Sequence, residues 1–159
     1  MRPRIWIIGL VIVGGIGWYL FRPELLFVNK RVSEGEVASA GASAAATVLS
    51  GQFHSVAHET RGTATVVDLG GSQRILRLTR FATSNGPDVR VYLVAAPDAS
   101  DNETVTKAGF VELGVLKGNQ GDQNYAIPAD VDLGQYRAVT IWCRRFGVNF
   151  ATAPLTPAS

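Results

Sequence analysis

The sequence predicts an all-β domain, an antiparallel β-sandwich or barrel-like fold, preceded by one N-terminal transmembrane helix. Three observations lead there. Short β-branched or apolar runs are separated by Gly-Gly, Asn-Gly-Pro-Asp and Asn-Gln-Gly-Asp turn signals. Seventeen glycines and seven prolines in 159 residues multiply the turns. No amphipathic helical pattern of useful length follows Leu49.

The elements follow in order. Residues Ile5 to Phe21 are apolar and carry no charge, at the short end of what spans a bilayer. Trp6 marks one end and Trp18 and Tyr19 the other, the pattern of interfacial aromatics. A cleaved signal peptide would place small residues just after the run. Arg22-Pro23-Glu24 stands there instead, and Ala38-Ser39-Ala40 comes late. Residues 1–21 therefore read as an uncleaved membrane anchor, with a cleaved signal and a buried helix as the alternatives. Arg2 and Arg4 before the run balance Arg22, Lys30 and Arg31 after it, so flanking charge hardly orients it. The very short N-terminal tail favours a single-pass topology with the C-terminal domain outside the cytoplasm. Residues 22–49, ending in a small, almost uncharged Ala/Ser/Gly stretch, read as a flexible stalk.

The globular part is placed at residues 50–155. Thr63 to Leu69 reads as a strand, and Gly70-Gly71 turns it into a second at Gln73 to Phe81. After the Ser84–Asp88 turn, Val89 to Ala95 is apolar on both faces, which marks a central strand. A loop at Pro97–Asn102 precedes two short strands, Phe110 to Leu113 and Gly114 to Lys117. A turn at Asn119–Asp122 leads to the strand Asn124 to Ile127, stopped by Pro128. Ala138 to Cys143 and Val148 to Ala151 complete the set.

Composition removes several function classes. A net charge of +2 without a basic stripe argues against nucleic-acid binding. There is no phosphate-cradling loop before a helix, no G-x-S-x-G elbow and no H-E-x-x-H. Two histidines and one cysteine cannot close a four-ligand structural zinc site. Paired catalytic carboxylates do not stand out, because the acids lie mostly in turns. A classical turnover enzyme is not indicated.

What remains is Cys143, His58 and His54. Outside the cytoplasm cysteines normally pair, so a lone thiol is a core residue, an intermolecular bridge, or a redox or metal-ligand site. Cys143 alternates with Val139 and Ile141 and faces the way they do. Arg145 would share that face if the strand continued, and a guanidinium there would favour the thiolate. His54 and His58, four apart, would share a face on a helix, but on a strand they would lie about 13 Å apart, too far to share a metal.

These residues carry a family likeness. The segments are Ser50-Gly51-Gln52-Phe53, His58, Gly62 to Val66, Phe81, Gly86-Pro87-Asp88-Val89-Arg90-Val91-Tyr92-Leu93, Leu113 to Gly118, Gly121 to Pro128, and Val139 to Phe146. Together, over Ser50 to Leu155, they resemble the DM-thirteen electron-transfer domain, in a membrane-anchored, bacterial-type form. The resemblance implies that Cys143, the cysteine after the Ile141-Trp142 strand, is the signature redox residue, as a bare thiol or holding a prosthetic group. His58 is then the candidate second ligand for iron, copper or haem, since a Cys/His pair suits these better than magnesium or calcium. Covalent haem is disfavoured, as there is no c-type attachment motif, and so is a Met-ligated copper, as Met1 is the only methionine.

The functional expectation is a membrane-tethered extracytoplasmic redox module that works with a redox partner protein. The alternative is a non-catalytic β-sandwich binding or assembly module with a structural cysteine.

Overall fold

The computed structural model describes residues 3–21, 28–37 and 46–158. The expected stalk positions 22–27 and 38–45 lie outside them. The elements are α1 (Pro3–Phe21), β1 (Arg31–Ser33), β2 (Ala46–Gln52), β3 (His54–Ser55), β4 (Arg61–Asp68), β5 (Arg74–Ala82), β6 (Val89–Val94), α2 (Asn102–Ala108), β7 (Phe110–Val115), β8 (Gln120–Ile127), β9 (Ala138–Cys143), β10 (Val148–Pro154) and β11 (Thr156–Pro157).

Two sheets form. One has six strands in the order β1-β8-β5-β4-β2-β11, and the other has five in the order β3-β10-β9-β6-β7. All pairings are antiparallel except that of β1 with β8, which is parallel. The β4–β5 hairpin turns on Gly70, Gly71 and Ser72, all at positive φ (83°, 59° and 68°). The Asp68 carboxylate accepts the Gly70 amide at 2.8 Å, which closes the turn. Inner side chains of both sheets, among them Val66, Leu76, Leu78, Val91, Leu93 and Ile141, share one core.

The middle strand of the five-stranded sheet is β9, buried at every residue. Val139, Ile141 and Cys143 enter the main core, while Ala138 and Trp142 face a smaller one. That second core is covered by α2 through Val105, with Tyr92, Val94 and Ala99. Interior burial of β6, between β9 and β7, follows from the same two-sided cover.

Several expectations change. Asp101 caps α2 by accepting the Thr104 amide at 2.7 Å, where the sequence showed only a loop. Seven residues with one buried side chain are too few to set up a helical period. Gln120 to Asp122 belong to β8 rather than a turn, because β1 and β5 pair with them on either side. The two strands expected over 110–117 are one, β7, bulged where Val91 and Tyr92 of β6 face Gly114 and Glu112.

Part of the expected stalk is sheet: β1 docks on β8, and Glu34 pairs with Lys117 at 2.7 Å. The N-terminal run is helical over Pro3–Phe21. Yet among the described residues no helix is long and apolar enough to cross a membrane, so the transmembrane expectation reduces to a helix here.

Candidate functional site

Cys143 closes β9. In register it faces Val89 of β6 and Val148 of β10. Its side chain is fully buried, at 0% exposure, and forms no disulfide. The chain turns immediately: Arg144 to Gly147 form the β9–β10 turn, with Gly147 at φ 62°. Arg145 is therefore an exposed turn residue, which removes the expected continuation of the strand face from Cys143 to Arg145.

The turn is anchored on the outer side. The Arg144 amide donates to the Asp88 carbonyl at 2.8 Å. The Asp88 carboxylate accepts from Arg90 Nε at 2.5 Å, and Glu112 accepts from Arg90 Nη1 at 2.7 Å. Arg144 lies 3.7 Å from both carboxylates. The bond to Asp88, with Glu112 beside it, raises the affinity of Arg90 for its proton. Arg90 is opposite Trp142 in register, so this network covers the outer face of the strand end and not the thiol. Beside it Tyr92 stacks on Phe110 at 4.3 Å and faces Trp142 at 6.3 Å. Burial raises the Tyr92 hydroxyl pKa above its ordinary value, and the Glu112 charge adds to the shift.

On the inner side, Phe150 and the segment 56–58 pack on one another. Phe150 sits at the β10 bulge between Asn149 and Ala151 and belongs to the same core as Cys143. Its carbonyl accepts both the Val56 and His58 amides, at 3.0 and 3.2 Å. The His58 ring rests on the Phe150 ring with centroids 3.8 Å apart. Gly86 completes the packing, since a Cβ there would lie 3.1 Å from Phe150 Cζ and 2.7 Å from Val89 Cγ2. Phe150 thus gathers His58, Gly86 and Val89, and Val89 is the residue that Cys143 faces in register.

The contacts described for His58 run to Phe150 and Thr60, not to Cys143. His54 lies elsewhere, with Nε2 2.9 Å from Asp98 Oδ1. No group of three or more His, Cys, Asp or Glu side chains suited to a metal occurs among the described residues. A fully enclosed sulfur, flanked by valines, offers no face to a porphyrin. This donor set does not fit a protein-ligated iron or copper centre, nor a haem.

The geometry defines a class first: a small, predominantly β sandwich whose one thiol is enclosed at a strand end. A family model described as Electron transfer DM13 matches residues 52–155, more than half of the chain, and the protein belongs to that family. No curated protein and no solved structure matches the chain.

Sequence reasoning found Cys143 and its face but missed the Asp88–Arg90–Glu112–Arg144 network and the role of Phe150. Asp88 followed at the second position by Arg90 was the one local signal for the network. The Phe150 packing depends on a bulge, which leaves no trace in sequence.

Proposed function

We propose that the protein is a membrane-tethered electron-transfer module outside the cytoplasm, with Cys143 as its redox residue. The carrying observation is the family match, an electron-transfer family whose matched span contains the single cysteine of this chain. The tether rests on α1, whose described side chains include exposed Trp6, Ile7, Leu10, Val11, Val13, Trp18 and Tyr19. Ten large apolar groups bared on one helix suit a lipid contact far better than water.

The absence of a fitting metal donor set favours thiol chemistry. Cys143 as thiolate attacks one sulfur of a disulfide on a partner protein, and that S–S bond breaks. A mixed disulfide forms, and the second partner sulfur leaves as a thiolate. A fully buried sulfur cannot meet a partner until the structure around it opens, for instance at the adjoining Arg144–Gly147 turn. Local opening of this kind is slower than surface exchange but needs no global unfolding.

The test is the alkylation rate of Cys143 in the full chain, in detergent, across sub-denaturing urea. A rate almost independent of urea indicates local opening and supports the redox reading. A rate that follows global unfolding supports the second reading, which the full burial of Cys143 favours: a binding or assembly module with a structural cysteine.

A further inference from the structure

At one end of the six-stranded sheet, four strands carry a single cross-strand row on the outer face. Arg31 of β1 faces Gln120 of β8, Gln120 faces Ala82 of β5, and Ala82 faces Arg61 of β4. The terminal arginines are three strand spacings apart, about 14 Å between backbones. Arg80 joins them from a bulge. Register slips on both sides of it, between Leu78 and Phe81 against β8 and between Arg61 and Thr63 on β4.

The bulge is specifically constructed. Arg80 is one of two non-glycine residues at positive φ among the described residues, at 50°, and its amide is held by Asp122 Oδ1 at 2.8 Å. Gly62 beside it has φ 126°, and a Cβ there would lie 2.8 Å from Phe81 Cα. A bulge with a non-glycine residue in the left-handed region re-aims a side chain at a cost in strain. Here the side chain re-aimed is a third guanidinium.

Arg31, Arg61 and Arg80 are all exposed and line one groove of about 310 Å³, over Ala82, Gln120 and Gly121. The ion pairs of the described residues engage Arg77, Arg90 and Arg144, not these three. Asp122, the acidic group lining the groove, is already engaged by Arg77 Nη2 at 3.0 Å and by the Arg80 amide. Gln120 Oε1 accepts from Arg31 Nη2 at 2.9 Å, which leans that guanidinium over the row. On a chain of net charge +2, this concentrates three planar donor forks around one concavity.

We propose that this groove binds phosphate oxoanions, with Arg31, Arg61 and Arg80 as the ligating residues. A phosphate diester headgroup of an anionic lipid and a free phosphate ester share that chemistry. The groove is distant in function from the thiol site and does not rest on it.

The test follows the arginine Nε–H resonances of the full chain in zwitterionic detergent. The probes are inorganic pyrophosphate, dihexanoyl phosphatidylglycerol and dihexanoyl phosphatidylcholine. Arg31, Arg61 and Arg80 should shift, and Arg74, whose guanidinium donates to three backbone carbonyls, should not. Replacing Arg31, Arg61 or Arg80 with Gln should weaken binding about fivefold each, and added salt should weaken it further. Arg80→Gly should weaken binding while raising the melting temperature. Shifts with phosphatidylglycerol but not pyrophosphate assign a lipid headgroup, and shifts with both assign a soluble phosphate ester. No saturable shift with either, or equal shifts at every arginine, overturns the proposal.

Discussion

Substituting Cys143 with serine introduces a hydroxyl into an enclosed apolar site. With the side chain fully buried among core residues, an unpaired hydroxyl costs about 1–3 kcal/mol. Urea denaturation of Cys143→Ser should show that loss, with the native fold kept. Arg80 gives the opposite sign. Its φ of 50° is unfavourable for any side chain and free for glycine. Arg80→Gly should therefore stabilise the fold by about 1 kcal/mol, measured the same way. Tyr125 adds a pH signature. Burial pushes its hydroxyl up to about 12, while the bond from the Lys117 amide pulls in the other direction. The unfolded chain loses this proton near pH 10, so the folded state binds more protons between the two values and stability falls as pH rises through that window. In Tyr125→Phe this part of the alkaline loss should vanish, although bonds to Gln123 and Lys117 go with it at every pH.

At the level of elements, β1 is held by backbone pairing, by tight approach and by one carboxylate. A Cβ at Gly121 would collide with the Val32 carbonyl, so only glycine at φ 99° lets β1 seat there. Glu34 accepts from Lys117 Nζ and, at 2.6 Å, from the Asn124 amide. Lys117 chiefly holds the Glu34 carboxyl below its usual range, against the opposing effect of burial, with the Asn124 amide and Arg77 helping. A depressed folded pKa means the contribution is complete above the unfolded value, near 4.5, and is lost as pH falls through the folded one. Hydrogen exchange at Gln120 and Asp122 should therefore accelerate below that pH, and Glu34→Gln should show the acceleration already at neutral pH.

The longer strands were legible because each carried a local signal. Alternation placed Val139, Ile141 and Cys143 on one face, and Gly70-Gly71 placed the β4–β5 turn. Strands such as β3 and β11, two residues each, exist only because a neighbour pairs with them. The same holds for β1, whose partner lies 89 positions away along the chain. The site divides the same way: Cys143 could be read from its strand, whereas the His58–Phe150 ring pair is assembled by non-local packing.

For the molecule as a whole, the two-layer arrangement assigns separate tasks to separate surfaces. The thiol lies between the layers, the arginine row on the outer face of one, and the aromatic stack of Phe110, Tyr92 and Trp142 on the outer face of the other. The apolar helix α1 should hold the full chain in lipid. Flotation with vesicles after alkaline carbonate washing should recover it in the lipid fraction, and recovery in the supernatant would remove the tether from the proposed function.

Every sheet has margins where backbone donors and acceptors are left without partners, and proteins must keep such margins from recruiting one another. The six-stranded sheet ends on one side in the two-residue β11, which contains Pro157 and so lacks one donor. On the other side it ends in β1, three residues laid parallel along the eight-residue β8. Were β1 absent, the first part of β8 would face solvent with unpaired amides and carbonyls. A chain begun at Ala46 keeps all the other strands, so it should run as oligomers in size-exclusion chromatography, where the chain retaining β1 stays monomeric. By this account the short strand guards the fold against templated self-association.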